Sequence, residues 1–506
     1  MGIPAYFSHI LKEHANILLS LQQIQENKQN QKPFDRLYMD CNSIVYEAYR
    51  EILKENHDPS YQEIITEVIN SIKDIIELIK PKKTAYVAFD GVAPFAKMKQ
   101  QRLRRFRNEY FQYQESQPQK NFTSKFQTYM ITPGTKFMQE LSKELQNAFK
   151  HEKKIVLSTS NEPGEGEHKM MEHYRQNTTK KENVAIYGLD SDLIMLAIFH
   201  HHMANEVYIF REAPEFFKSK IPITFQHPKE PYFIDIKEFI RKLSIETNMN
   251  MDVYDYAFLC FLLGNDFLPH FPTLNLRTTG MQYIQDVYRI IPKKYKPIIS
   301  PPSKKSNTWN IHWNHFYQFL FELSKLEHQA FTQEYEQRNR QERRYFMETT
   351  QEERETSYQH IPLQLRSKEM YIDPSQPGWE NRYYKVLFPK NQDITQITKN
   401  YIEGLYWVFQ YYTGGCKDWS WSYKYNYPPL LKDLLNGVPT NELILLDSNK
   451  EPFTPHQQLD FVLPAIAKYQ EGMITKQEYE ELIQKESKLE LEWAFCKYMW
   501  ESHLDM

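Results

Sequence analysis

The chain has 506 residues, enough for two or three domains, and 41% apolar residues with 15% aromatics can fill large cores. With 62 Lys and Arg against 65 Asp and Glu the net charge is −3, which excludes a globally basic polyanion binder, so any nucleic-acid contact has to be local. The longest strongly apolar stretch, Tyr256 to Gly264, reaches about half the length of a membrane-spanning helix, and the four cysteines (Cys41, Cys260, Cys416, Cys496) have no CxxC spacing, so they are read as buried free thiols.

The start, Met1-Gly2-Ile3-Pro4-Ala5-Tyr6, lacks the basic residues and apolar core of a signal peptide, and Tyr6 stands where a myristoylation signal wants Ser or Thr. A soluble, intracellular, cytoplasmic protein with no membrane contact is expected. Four runs rich in β-branched or aromatic residues predict strands: Arg36 to Met39, Thr84 to Phe89, Lys154 to Leu157 and Val184 to Tyr187. Helical patterns lie between them, so the chain should begin as an α/β domain with a mostly parallel central sheet flanked by helices.

His200-His201-His202 is read as surface, because consecutive residues on a helix point in different directions. Tyr256 to Leu263 predicts a buried helix, Pro292 to Asn307 a surface loop, and helical patterning resumes at Trp313. Glu334 to Glu355 is crowded with Glu, Arg and Gln, as a solvated helix or a linker would be. The expected division is therefore a first region over 1–335, a charged linker over 336–368 and a helix-rich second region over 369–506. The second region is dense in Trp and Tyr between Tyr371 and Tyr427.

Acidic residues stand where the predicted strands end. Asp40 closes Arg36-Leu-Tyr-Met, Asp90 closes Tyr86-Val-Ala-Phe, and Asp190 and Asp192 follow Ala185-Ile-Tyr-Gly-Leu189. The carboxyl ends of parallel strands share one sheet edge, so these side chains should converge in one crevice. Glu165 and Glu167, two apart in Pro163-Gly-Glu-Gly-Glu-His168, can join them only from an extended turn, which Gly164 and Gly166 permit. Asp266 interrupts the end of a buried apolar run and completes a set of seven.

Any one of these would pass as a turn or capping residue. Gathered about 4 Å apart they would repel by roughly 4 kcal/mol per pair at an effective dielectric of about 20, so the set calls for cations. All-oxygen ligands select Mg²⁺, with Mn²⁺ able to substitute, and two such ions about 4 Å apart suit displacement at a phosphate.

Directly after Asp90, six cations fall within the eleven residues Lys97 to Arg107. On a helix Lys97, Gln101, Arg104 and Arg105 share one face, while Lys99, Arg102 and Arg107 point elsewhere. A charged helix is usually only solvated, but this one follows a strand-end carboxylate, and its guanidinium forks suit a terminal phosphate.

Seven segments in order, Met1-Gly-Ile-Pro-Ala-Tyr-Phe7, Tyr38-Met-Asp-Cys-Asn42, Phe89-Asp-Gly-Val-Ala-Pro94, Ile131-Thr-Pro-Gly-Thr135, Pro163-Gly-Glu-Gly-Glu-His-Lys169, Tyr187-Gly-Leu-Asp-Ser-Asp192 and Leu263-Gly-Asn-Asp-Phe-Leu-Pro-His270, resemble the first conserved region of the XRN-type 5′-to-3′ exoribonucleases. Tyr401 to Trp407, Asp418-Trp-Ser-Trp421, Tyr427-Pro-Pro429 and Phe461 to Ala465 are similar to the second. The resemblance implies a PIN/flap-nuclease-like fold and a processive exoribonuclease on single-stranded RNA with a 5′ monophosphate, releasing nucleoside 5′-monophosphates.

It further implies that Asp40, Asp90, Glu165, Glu167, Asp190, Asp192 and Asp266 hold the metals and that Lys97, Gln101, Arg104 and Arg105 bind the 5′ phosphate. Tyr46 and either Trp419 or Trp421 would sandwich the terminal bases. Tyr46 stands where the family usually has His, and Ser422-Tyr-Lys-Tyr-Asn-Tyr427 replaces a more aromatic, His-containing run. A monomeric short form without the extra C-terminal domains of long members is expected.

Two alternatives are a flap-type DNA nuclease and an inactive RNA-binding protein. Against the first, Phe267-Leu-Pro-His-Phe-Pro-Thr-Leu274 after the last aspartate carries no Gly-Ile-Gly turn for duplex DNA; against the second, no carboxylate is missing.

Overall fold

Seven strands form one sheet in the spatial order β1-β7-β6-β5-β2-β3-β4. They are β1 (Leu18–Ser20), β2 (Arg36–Asp40), β3 (Thr84–Ala88), β4 (Ile155–Ser158), β5 (Asn183–Tyr187), β6 (Glu206–Glu212) and β7 (Pro231–Asp235). The computed structural model describes residues 2–56, 58–115, 126–188, 190–212, 230–246, 251–303, 306, 308–343, 349–439 and 451–504. Strands β4, β3, β2, β5 and β6 run parallel, and β7 and β1 add an antiparallel edge.

Helices α1 (Tyr6–His14), α2 (Leu21–Lys28), α3 (Asn42–Leu53), α4 (Tyr61–Ile79), α5 (Phe95–Glu115), α6 (Lys136–Phe149), α7 (Gly166–Asn177) and α8 (Asp192–His200) accompany the sheet. Covering both faces explains why the central strands read as unbroken apolar runs. Alternate residues of β2 serve opposite layers: Leu37 and Met39 pack with α3, α4 and α6, while Tyr38 packs with α1, α7 and α8. Helix α4 shows the local logic. Ser60 and Glu63 form a capping box, and Ile64, Ile65, Val68, Ile72, Ile75 and Ile79 bury one stripe.

The chain runs outward through β2, β3 and β4, then returns to place β5 on the other side of β2. This reversal opens a crevice at the carboxyl ends of β2, β3 and β5, the usual position of a site in such a sheet. The predicted mostly parallel α/β sheet is therefore present. Strands β1, β6 and β7 were not expected: β1 has only three residues, and the apolar Val207 to Phe210 run of β6 is too short to separate from a helix by periodicity.

The second region does not stand apart. Its helix Ile394–Gly414 packs on α8, and Tyr401, Leu405, Val408 and Tyr412 join the same core as the sheet's own helices. The stretch read as a charged linker begins within the helix Glu327–Glu342, where Arg338 is buried. Glu369, also buried, accepts from Arg338 Nε (2.7 Å) and Nη2 (2.6 Å), from Arg366 Nε (2.6 Å) and from the Phe495 N–H (2.8 Å). Two cations of this stretch, Arg338 and Arg366, are thus internal, while Arg340, Arg343, Glu352, Arg354 and Glu355 are exposed.

Three smaller expectations are corrected. His200 is buried rather than on the surface, its Nδ1 donating to the Leu196 carbonyl at 2.8 Å, and His201 and His202 are half-buried around Tyr254. The loop from Pro292 is pinned inward at Ile298 and Ile299, whose N–H groups donate to buried Asp255 at 2.9 and 2.7 Å; 304, 305 and 307 lie outside the described residues. Cys41, Cys260 and Cys496 are buried free thiols, but Cys416 is only half-buried. Among the described residues no helix is long and apolar enough to cross a membrane.

Removing Glu369 would strand two buried guanidinium groups. Glu369→Ala should therefore cost about 3–5 kcal/mol in denaturant unfolding; a loss under about 1 kcal/mol, the scale of an exposed pair, would show that the cluster is solvated.

Candidate active site

The seven carboxylates come from five places in the chain. Asp40 is the last residue of β2, Asp90 lies two residues beyond β3, Asp190 lies between β5 and α8, and Asp192 opens α8. Glu165 stands just before α7 in extended backbone (φ −66°, ψ 148°), with Glu167 in the first turn of that helix. Asp266 follows the short helical turn Phe261–Leu263. Glu165, Glu167 and Asp192 are buried, and the other four are half-buried.

The backbone reversal before Glu165 sits at Gly164 alone (φ +107°). Gly166 serves a different purpose from the one expected: it is helical, and a Cβ there would lie 2.8 Å from Asp40 Oδ1 and 3.4 Å from Asp90 Oδ1. Its lack of a side chain lets α7 approach the strand-end carboxylates. Asp90 is fixed by the Gly166 N–H (2.6 Å) and by Asn42 Nδ2 (2.6 Å), and Asn42 Oδ1 accepts the Asp90 N–H at 3.1 Å. Gly2 donates its N–H to Asp266 Oδ1 at 3.2 Å.

Lys97, from the first turn of α5, ties the cluster together. Its Nζ lies 2.6 Å from Glu165 Oε2 and 2.8 Å from Asp266 Oδ2. Burial alone would make this ammonium easier to deprotonate, but Asp266 and Glu165 hold its pKa well above the ordinary value. Asp266 responds in the opposite sense: burial opposes ionisation, yet Lys97 keeps its carboxyl well below the usual range.

Four of the other carboxyls, those of Asp40, Glu165, Glu167 and Asp192, resist ionisation. Burial, then Asp90 and Asp190, push Asp40 up strongly; burial and Glu165 do the same to Glu167; burial and Asp266 raise Asp192 to about 7. Glu165 is raised too, since burial outweighs Lys97. Asp40 Oδ1 is buried with no hydrogen-bond partner. A set of oxygen donors with suppressed ionisation and an orphaned carboxylate oxygen fits a hard divalent cation.

Several participants were not legible in the sequence as site residues. Tyr411 donates its hydroxyl to Glu165 Oε1 (2.7 Å), and Tyr412 is hydrogen-bonded to Asp192. His168 stacks on Tyr411 (ring centroids 3.5 Å apart), and its Nε2 lies 3.7 Å from Glu167 Oε1. One ligand atom each from Glu165, Glu167 and His168 fall within 4.8 Å of one another. Burial pushes the His168 pKa well below its ordinary value, which favours the neutral imidazole, with one ring N–H to donate and one nitrogen lone pair free to act as a ligand. Its place in the Glu-Gly-Glu-His run was the one available signal.

Helix α5 carries two functions on two faces. On the site face, Gln101 is buried against Gln458 Nε2 (3.3 Å), and Arg105 Nη2 donates to Thr132 Oγ1 (2.7 Å). Arg105 Nη1 is buried without a partner, and burial together with Arg104 lowers this guanidinium to about 10. Arg104 is half-buried and close enough to act electrostatically on both Arg105 and Asp266.

The cations pointing elsewhere bind the second region. Lys99 donates to the Tyr423 carbonyl (2.8 Å), Arg107 to the Ser502 carbonyl (2.8 Å) and Arg102 to the Phe461 carbonyl, its guanidinium lying 4.2 and 5.1 Å from the Phe106 and Phe461 ring centres.

The expected stacking residues are distributed around α5. Tyr46 is half-buried on α3 and acts electrostatically on Arg105. The Trp419 carbonyl accepts the N–H of Phe95, which opens α5 (2.8 Å), and the half-buried Trp419 ring has no aromatic neighbour among the described residues. Trp421 is stacked on Trp407 (5.1 Å, 24°), which stacks on Tyr411 (4.9 Å, 28°), so an aromatic column joins it to Glu165.

With Lys97 removed, Glu165 and Asp266 would be buried without their common cation. Lys97→Met should cost about 3–5 kcal/mol of unfolding free energy in chelator, and millimolar divalent cation should recover part of it. A loss in chelator that no divalent cation reduces would show that the carboxylates do not take up metal.

Two family profiles cover most of the chain: the XRN 5′-3′ exonuclease N-terminus matches residues 1–213, and the Xrn1 helical domain matches 246–371 and 371–490. Among named relatives, the chain is 26% identical over 605 residues to the 5′-3′ exoribonuclease 2 homolog of Drosophila melanogaster, covering 92% of this chain and 64% of that protein. It is 27% identical over 617 residues to 5′-3′ exoribonuclease 1 of Saccharomyces cerevisiae (92% and 39%) and 26% identical over 546 residues to 5′-3′ exoribonuclease 1 of Homo sapiens (92% and 31%). The chain thus spans less than two thirds of the length of these relatives. The matched segments hold both the carboxylate-bearing sheet and the helices that close over it, and the chain belongs to the XRN 5′-3′ exonuclease family.

Proposed function

We propose that this chain removes nucleotides one at a time from the 5′ end of single-stranded RNA bearing a 5′ monophosphate, releasing nucleoside 5′-monophosphates. One observation carries the reading: the carboxylates meet at one sheet edge, and Lys97, bridging Glu165 and Asp266, stands on the same helix face as Arg104 and Arg105. An acidic centre for cations thus adjoins a cationic socket for a phosphate. The relatives named as 5′-3′ exoribonucleases support this direction of attack.

Asp40, Asp90, Glu165, Glu167, Asp190, Asp192 and Asp266 would hold two divalent cations, Mg²⁺ by preference with Mn²⁺ able to substitute. When bound, these ions would supply an activated water and neutralise charge on the leaving oxygen. The chain's own residues supply position. Asn42 and the Gly166 N–H hold Asp90, while Tyr411 and Lys97 hold Glu165, so the carboxylates need little rearrangement as substrate enters.

Lys97, Gln101, Arg104 and Arg105 would grip the terminal phosphate, with the unpartnered Arg105 Nη1 aimed at one of its oxygens. Each cleavage exposes a new 5′ phosphate, so the strand can advance into the same socket without release. Tyr46 and one of Trp419 and Trp421 would stack on the terminal bases, which retains the strand without reading its sequence.

In Mg²⁺, 5′-phosphorylated RNA should be degraded to mononucleotides and 5′-hydroxyl RNA should resist. Chelation should stop the reaction, and Asp190→Ala should abolish it. Arg104→Ala should reduce the preference for phosphorylated ends by about tenfold to a hundredfold. Equal degradation of both RNAs by the unaltered chain would overturn the phosphate-socket reading.

A further inference from the structure

A second cleft, of about 980 Å³, opens away from the carboxylates, between the ends of α7 and α8, the segment Thr308–Trp313 and the end of the helix Ile394–Gly414. Helix α8 starts at Asp192 and finishes at His200 on the cleft, and its nine residues span about 13 Å. The two sites therefore lie toward opposite ends of one helix.

None of the described residues lining this cleft is Asp or Glu, in a chain of net charge −3, yet Arg175, Lys180 and Lys417 all line it. Lys180 and Lys417 are exposed, and none of the three forms an ion pair among the described residues. Arg175 Nη1 instead donates to His200 Nε2 at 3.1 Å. His200 must accept there, because its Nδ1 is already committed as donor to the Leu196 carbonyl. A neutral acceptor thus orients the guanidinium without an ion pair, and Glu172 acts on it only from a distance. A Cβ at Gly415 would come within 3.6 Å of Arg175 Nη2, so the backbone passes close beside that group.

The apolar side of the cleft is aromatic. Trp309 meets Phe199 and Phe409 edge-on, with centroids 5.6 and 6.0 Å away, and remains half-buried; Tyr406 is half-buried beside Trp313. Partly exposed rings beside unpaired cations match a ligand with both a flat face and a compact anion. An acidic peptide would use the cations and leave the rings wet.

We infer that this cleft is a second nucleotide-binding site, taking the phosphate and base of one nucleotide unit. The phosphate would meet Arg175, Lys180 and Lys417, and the base would lie against Trp309 and Tyr406. That unit could be a free mononucleotide or part of a strand bound elsewhere on the chain. The inference stands on the lining of the cleft and does not require the catalytic reading.

The full chain in metal-free buffer should be titrated with AMP by calorimetry and with a 3′-labelled 5′-hydroxyl oligouridylate by fluorescence anisotropy. In the Arg104→Gln background, which weakens the proposed phosphate socket beside the carboxylates, Arg175→Gln, Lys417→Glu and Trp309→Ala should each weaken the remaining binding about tenfold or more. Sensitivity with AMP marks a mononucleotide site; sensitivity with the oligonucleotide alone marks a strand site. Because Lys417 is exposed, its variant should fold normally and reports on the cleft by itself. The proposal fails if neither probe responds to these substitutions, if both respond only to Arg104→Gln, or if polyglutamate binds as tightly with the same dependence.

Discussion

Mutual repulsion among buried carboxylates is the constraint on which the rest of the molecule depends. Among the described residues, Lys97 is the cation that ion-pairs with the group, and it does so at Glu165 and Asp266. Asp40, Glu167 and Asp192 are left to be discharged by protons or by an added cation. The scaffold tolerates this because each carboxylate is fixed by its own backbone position. Strand ends place Asp40 and Asp90, helix starts place Glu167 and Asp192, and the bulk of a side chain is removed where it would intrude, at Gly166.

Helix α5 makes the two conserved regions one unit. Its site face carries Lys97, Gln101, Arg104 and Arg105, while Lys99, Arg102 and Arg107 on other faces hold main-chain carbonyls at Tyr423, Phe461 and Ser502. A segment that looks from composition like a simple basic patch therefore spends half its charge on internal architecture. The second region repays the contact at the centre, since Tyr411 and Tyr412 bind Glu165 and Asp192 and the column Trp421, Trp407, Tyr411, His168 braces α7 from outside the sheet. The carboxylate edge is built by both regions together.

The sequence by itself determined four of the sheet's seven strands, β2 to β5, and its acidic edge, because parallel strands buried on both faces leave apolar runs, and a carboxylate ending such a run is conspicuous. It also determined the site face of α5, since the helical period alone aligns Lys97, Gln101, Arg104 and Arg105. Only the tertiary structure decided which partners those groups meet. Lys99, Arg102 and Arg107 look no different from Arg104 until carbonyls more than 300 residues away arrive beside them. His200 reads as one of three surface histidines until α8 is packed and Arg175 comes within reach. Periodicity reports which face of an element is apolar, but pairing across the fold follows from how elements pack, and that information is carried jointly by distant segments rather than by any one of them.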